Sequence, residues 1–86
     1  MAEEVHGARD LVVRRREQVG VFVRAVLPAA RRSVELVTEG WRAGKFDLFR
    51  VINAARDEAN ARRDYLAALG ALWQAAITLD RATGTP

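Results

Sequence analysis

Apolar positions along the chain recur at helical spacing in two stretches of about forty residues each, separated by one short break. In the first stretch Val5, Val12, Val19 and Val26 form a sevenfold row, and Val23, Ala30 and Val37 form another. Interleaved, Val19, Val23, Val26, Ala30 and Val37 trace one narrow stripe of the kind that seats a helix against a single neighbour, interrupted by Arg15, Arg16 and Ser33. The pattern predicts a helix over about 3–43. Pro28 lies inside it, where it removes a backbone donor and crowds the carbonyl four residues earlier. Either the helix kinks there or two helices meet. The rows read as continuing in phase across Pro28, which favours a kink.

The second stretch carries more apolar rows than one neighbour requires. Ile52, Ala59, Leu66 and Trp73 form one sevenfold row, and Leu48, Ala55, Leu69 and Ala76 another, broken by Arg62. Beside them runs an alanine row, Ala54, Ala61, Ala68, Ala75 and Ala82, with Tyr65, Leu72 and Leu79 as a further one. A helix over about 48–83 follows, with Gly84 as its stop and Pro86 beyond. Its broad apolar arc, edged with small residues, suits contact with two partners, as in a bundle or closed helical barrel. By their sevenfold phase Leu48 and Trp73 are expected in the core. Tyr65 is open between lumen, groove and core.

The break itself reads Trp41-Arg-Ala-Gly-Lys-Phe-Asp-Leu-Phe49. Gly44 is placed to end the first helix in the left-handed conformation. Asp47 can cap the second by accepting from backbone N–H groups. With only Lys45 and Phe46 between them, the helices must lie antiparallel. The expected fold is therefore all-α: a long antiparallel two-helix coiled-coil hairpin over 1–86, with its turn at 44–47, packing into a larger helical bundle or α-barrel. Trp41 is expected to anchor the turn. Phe46, Leu48 and Phe49 either present an apolar tip to a partner or close the end of the hairpin's own seam, and Phe46 is the best candidate for exposure.

Composition narrows the function. Of 86 residues half are apolar, but sixteen are alanine, so the core is thin and self-association or a larger parent chain is expected to complete it. There is no cysteine, and His6 is the single histidine, so no metal-ligand cluster, cofactor site or nucleophile–base pair can be assembled and no enzyme is expected. Thirteen arginines and one lysine leave a net charge of +3. The groups Arg14–Arg16, Arg31–Arg32 and Arg62–Arg63 invite a nucleic-acid reading, yet consecutive helical residues point about 100° apart and cannot form one stripe. Acids stand at pairing distance, Asp10 with Arg14, Arg31 with Glu35, and Glu58 with Arg62. A solvated surface with no nucleic-acid partner is the expectation. No run approaches the ~18 apolar residues of a membrane span. The acidic first residues, without an apolar segment, do not read as a secretory signal.

Taken in order, Leu27-Pro-Ala-Ala-Arg31, the 41–49 break, Ala61-Arg-Arg-Asp-Tyr-Leu-Ala-Ala-Leu69, Trp73-Gln-Ala-Ala76 and Leu79-Asp-Arg-Ala-Thr-Gly84 resemble the C-terminal part of the outer membrane efflux protein family, the TolC-like channels, in the variant paired with heavy-metal (cation) pumps. The likeness covers about residues 26–84. It implies a segment of a trimeric channel whose hairpins close into a periplasmic α-helical tunnel, continuous with an outer-membrane β-barrel. It places the hairpin tip where the channel meets a periplasmic adaptor protein and the inner-membrane efflux pump. Carried over, Gly44, Lys45, Phe46, Asp47 and Phe49 are the partner-binding tip. Arg50 and Asn53 stand near the channel-entrance positions where some members carry acidic residues. The transmembrane strands and second hairpin of such a channel are not in this sequence, so the resemblance implies one hairpin of a larger channel. The alternative is a free-standing hairpin that self-associates into a four-helix bundle as an interaction module.

Overall fold

The structure, a computed structural model, describes residues 2–84, with side chains from residue 4 onward; Thr85 and Pro86, beyond the anticipated stop at Gly84, lie outside the described residues. Helix α1 (Ala2–Val21) passes through a π turn (Phe22–Val26) into α2 (Leu27–Arg42), and α3 (Leu48–Ala82) returns along both. This is the all-α extended hairpin that the pattern of apolar residues implies. It measures 63 × 16 × 15 Å. At Val21, Val26 and Leu27 the backbone stays in the right-handed helical region, so α1 and α2 form one continuous rod.

The π turn is the feature the sequence pattern did not disclose. Its Leu27 N–H donates to the Phe22 carbonyl, five residues back, instead of the usual four. One extra residue in a turn shifts everything upstream by about 100° around the helix axis. Before the turn the inward positions are Val5, Ala8, Val12, Arg15, Val19, Phe22 and Val26; after it they are Ala30, Val34 and Val37, while Ala29, Ser33 and Leu36 are exposed. The apolar rows therefore do not continue in phase across Pro28. Val23, assigned to the stripe, is half exposed at 51%. Packing favours the π turn: extending the α2 phase unbroken through α1 turns inward Gly20, Arg16, Val13, Arg9 and His6 in place of Val19, Arg15, Val12, Ala8 and Val5, which sets a charge where Ala8 is buried and a polar ring where Val5 packs. The widened turn also lies directly before Pro28, whose ring crowds a regular helix and which offers no N–H.

Along α3 the inward side is Val51, Ala54, Glu58, Ala61, Tyr65, Ala68, Leu72, Ala75, Leu79 and Ala82. The alanine row is thus the seam, not its border. Small side chains let the two helices approach closely, and the buried apolar residues are themselves small: Ala8, Val12, Ala54 and Ala75. Across the helices Phe22 lies against Tyr65, ring centroids 6.3 Å apart and tilted by 57°, which places Tyr65 in the seam. Glu58, half-buried, forms an ion pair with Arg62 at 3.8 Å.

Of the two sevenfold rows that start at Leu48 and Ile52, Leu69 and Ala76 are half-buried at the edge of the seam and the other apolar members face solvent instead. Trp73 is 66% exposed, Leu66 63%, Leu48 49% and Ile52 43%. The reason is angular. The apolar arc of α3 spans roughly 160°, and a single antiparallel neighbour covers only the side where the alanines permit close approach.

Candidate functional site

At the tip the chain reverses through a tightly bonded turn. Gly44, at φ +76°, occupies the left-handed conformation. Its N–H donates to the Trp41 carbonyl at 3.0 Å, and the Lys45 N–H donates to the Gly40 carbonyl at 2.8 Å. This pair of bonds is the Schellman arrangement, which satisfies the carbonyls that a helix end leaves open. Across the turn Asp47, in extended conformation, accepts from the Arg50 N–H through its carboxylate at 3.2 Å and caps α3.

Between these two ends lies a stack that the sequence reading missed. Gly40 is buried beneath the Phe46 ring, so closely that a Cβ at position 40 would overlap the ring. The Arg50 guanidinium lies over the same ring, 4.3 Å from its centroid. Phe46 is therefore half-buried against a bare helix backbone and a cation, and is not the exposed tip side chain it was expected to be. The glycine at 40, four residues before the turn glycine, was the available signal: a residue without a side chain on the last turn of a helix leaves room for a ring.

Exposure at the tip belongs to other groups. Phe49 is 73% exposed and, with the half-exposed Trp41, Leu48 and Ile52, gives this end of the rod an apolar surface. Lys45, Asp47, Arg50 and Asn53 are also exposed, and Gly44 carries no neighbour within 4 Å of a built Cβ. Of the tip residues taken as partner-binding, the structure thus brings Phe46 into an internal stack with Arg50 and leaves Gly44, Lys45, Asp47 and Phe49 at the surface. Trp41 supplies the carbonyl that receives Gly44.

Along the rod α3 has two contrasting flanks. One carries Leu48, Ile52, Ala55, Ala59, Leu66, Leu69, Trp73 and Ala76, an apolar stripe about 40 Å long. Its one charged member is Arg62, which is the residue paired to Glu58. The opposite flank carries Asn53, Asp57, Asn60, Asp64, Gln74 and Thr78, with Ala67 and Ala71 in the same rows and Arg50 and Arg81 at its two ends. Among the described residues no group of three or more His, Asp or Glu comes together, and no helix is long and apolar enough to cross a membrane.

Fold and site together define a long helical hairpin with a rigidly capped tip and one uncovered apolar flank. Over 59 residues the chain is 44% identical to the cobalt-zinc-cadmium resistance protein CzcC of Cupriavidus metallidurans. That stretch takes in 69% of this chain and 14% of the relative, so the chain spans only a small part of the protein it matches. The similarity supports the resemblance to heavy-metal efflux proteins of the outer membrane over that part of the sequence. No protein-family profile matches the chain, and no solved structure matches it.

Proposed function

We propose that the chain is a wall segment of a heavy-metal efflux channel of the outer membrane, one helical hairpin of its periplasmic tunnel. The observation that carries this reading is the contrast between the two flanks of α3. A wall element needs an apolar side for the neighbouring hairpin and a hydrophilic side for the water-filled bore. The stripe from Leu48 to Ala76 answers the first need and the Asn53–Asp57–Asn60–Asp64 flank answers the second. The 44% identity to the cobalt-zinc-cadmium resistance protein supports the same reading from an independent direction. The role is passive: the helices form the wall, and no chemistry is performed on what passes.

At the end of the rod the tip docks a periplasmic adaptor that links the channel to an inner-membrane pump. Phe49 is the anchoring side chain of that contact, with Leu48 and Trp41 beside it and Lys45 as the charged rim. Phe46 and Arg50 hold the tip in shape from within. Asn53, on the polar flank one turn further on, faces the channel entrance.

The test is a chimera. The matching segment of the Cupriavidus metallidurans resistance protein is replaced by this hairpin, and growth on cobalt, zinc and cadmium is measured. A chimera that reaches the outer membrane and restores resistance is the expected result; one that is present at normal levels but restores none sinks the proposal.

A further inference from the structure

We infer that Arg50 makes the tip mouth of the channel prefer anions, so that metal enters as a negatively charged chelate, its ion wrapped in carboxylate groups, and not as the bare divalent cation. The inference rests on the channel reading and concerns what that channel selects. It starts from the order of charge along the polar flank of α3. Arg50, Asp57, Asp64, Ala71 and Thr78 form one sevenfold row, and Asn53, Asn60, Ala67, Gln74 and Arg81 form the row beside it. Counted from the tip, the flank assigned to the bore presents a cation first and its acids only afterwards. Seven helical residues rise about 10 Å, and at physiological ionic strength exposed charges are screened over about 8 Å. Asp57 thus lies beyond the distance at which it would cancel Arg50 at the mouth, and Asp64 lies farther still.

Two further features keep that charge in place and positive. Arg50 is exposed, yet its guanidinium lies 4.3 Å from the centroid of Phe46, whose ring is itself seated on the Gly40 backbone. Attraction to a fixed ring confines a cation that would otherwise sweep through solvent. Nor is the charge neutralised. Among the described residues Arg50 forms no ion pair, in contrast to Arg62, which is bound to Glu58. Asp47 turns its carboxylate to the backbone, accepting from the Arg50 N–H at 3.2 Å. From position 42 to position 50 the chain carries three cations, Arg42, Lys45 and Arg50, against that single acid. Copies of this tip gathered round one bore repeat the imbalance. Rings of Arg or Lys select anions in pores, as rings of Asp or Glu select cations. Repulsion scales with the charge of the ion, so a divalent cation is turned away twice as strongly as a univalent one. Carboxylate ligands reverse the sign of the entering species, and their oxygens match the fork of an arginine.

The test uses the purified chimera in planar bilayers with no adaptor present, so docking does not enter the readout. The zero-current potential across a KCl gradient is expected to show chloride passing more readily than potassium. Arg50→Glu should lower the chloride-to-potassium permeability ratio on the order of threefold or more. Arg50→Gln should lower it less, and Arg50→Lys should keep it. These differences should shrink as KCl rises from about 0.1 M to about 1 M, where the screening length falls from ~10 Å to ~3 Å. A change that came only from a loosened tip would appear in Arg50→Lys as well and would not fade with salt. With potassium cobalt(III)–EDTA in place of KCl, the metal-bearing anion should carry current through the parent chimera and less through Arg50→Glu. Potassium preference in the parent, equal ratios for the parent and Arg50→Glu, a loss in Arg50→Lys as large as in Arg50→Gln, or exclusion of the cobalt anion by the parent overturns the inference. Each of these can stand beside restored metal resistance, which leaves the channel reading intact; a chimera that forms no conducting channel sinks both.

Discussion

The Phe46 ring lies on the backbone of Gly40, across the hairpin turn, with the Arg50 guanidinium 4.3 Å above its centroid. Two residues six apart in sequence therefore lock the end of α2 to the start of α3. Gly40→Ala should lower stability by about 1–2 kcal/mol, because the new methyl displaces the ring. In a Phe46→Ala background the same change should raise stability by up to about 1 kcal/mol, because alanine is the better helix former once the ring is gone. Chemical denaturation of the four variants checks this. The same sign for Gly40→Ala in both backgrounds would contradict the stacked geometry.

Gly44 and Gly70 should respond to alanine in opposite directions. Gly44 holds a φ of +76°, so Gly44→Ala should cost about 1–2 kcal/mol. Gly70 is exposed within α3 with nothing within 4 Å of a built Cβ, and Gly70→Ala should gain about 0.5–1 kcal/mol. Thermal melts of the two variants measure the contrast.

The π turn predicts which deletions the first helix tolerates. Removing Arg24 together with Pro28→Ala converts the wide turn to a regular one while keeping Val12 and Ala8 inward, so the melting temperature should change little. Removing Gln18 leaves the π turn in place and rotates the upstream residues by about 100°. Gly7, Leu11 and Arg14 then replace Ala8, Val12 and Arg15 in the seam, and the melt should lose several degrees and much of its cooperativity. Equal tolerance of the two deletions would argue against the register described for α1.

Docking at the tip should separate the two phenylalanines. Phe49→Asp should abolish adaptor binding in the full channel while leaving the hairpin's melt unchanged, since Phe49 is 73% exposed. Phe46→Asp should lower stability by about 1–3 kcal/mol, because a carboxylate replaces the packed ring. Adaptor binding followed by co-purification, alongside melts of both variants, distinguishes them. Normal adaptor binding by Phe49→Asp removes Phe49 as the anchor.

Much of this protein is decided within short reach of the chain. Long runs of alanine, leucine and valine at helical spacing dictate two helices, and Gly44 with Asp47 marks where one ends and the other begins, because αL geometry and side-chain capping are local. The resemblance carried by 26–84 is likewise a matter of residue order. What local pattern left open is which apolar face turns inward. On α3 several sevenfold rows are apolar, and periodicity weighs a leucine or tryptophan row above an alanine row. Packing reverses that weighting, since the alanine row lets two helix backbones come together while Leu66 and Trp73 would hold them apart. The π turn is a tertiary outcome for a similar reason: a single hydrogen-bond shift is a small local change, but it turns Val12 and Val19 toward α3 and Arg9 and Arg16 away. The Gly40–Phe46–Arg50 stack, too, exists only once the turn has folded the two helix ends together. Sequence determined that this is a hairpin, and where it bends; tertiary packing decided which flank it buries and which it leaves exposed.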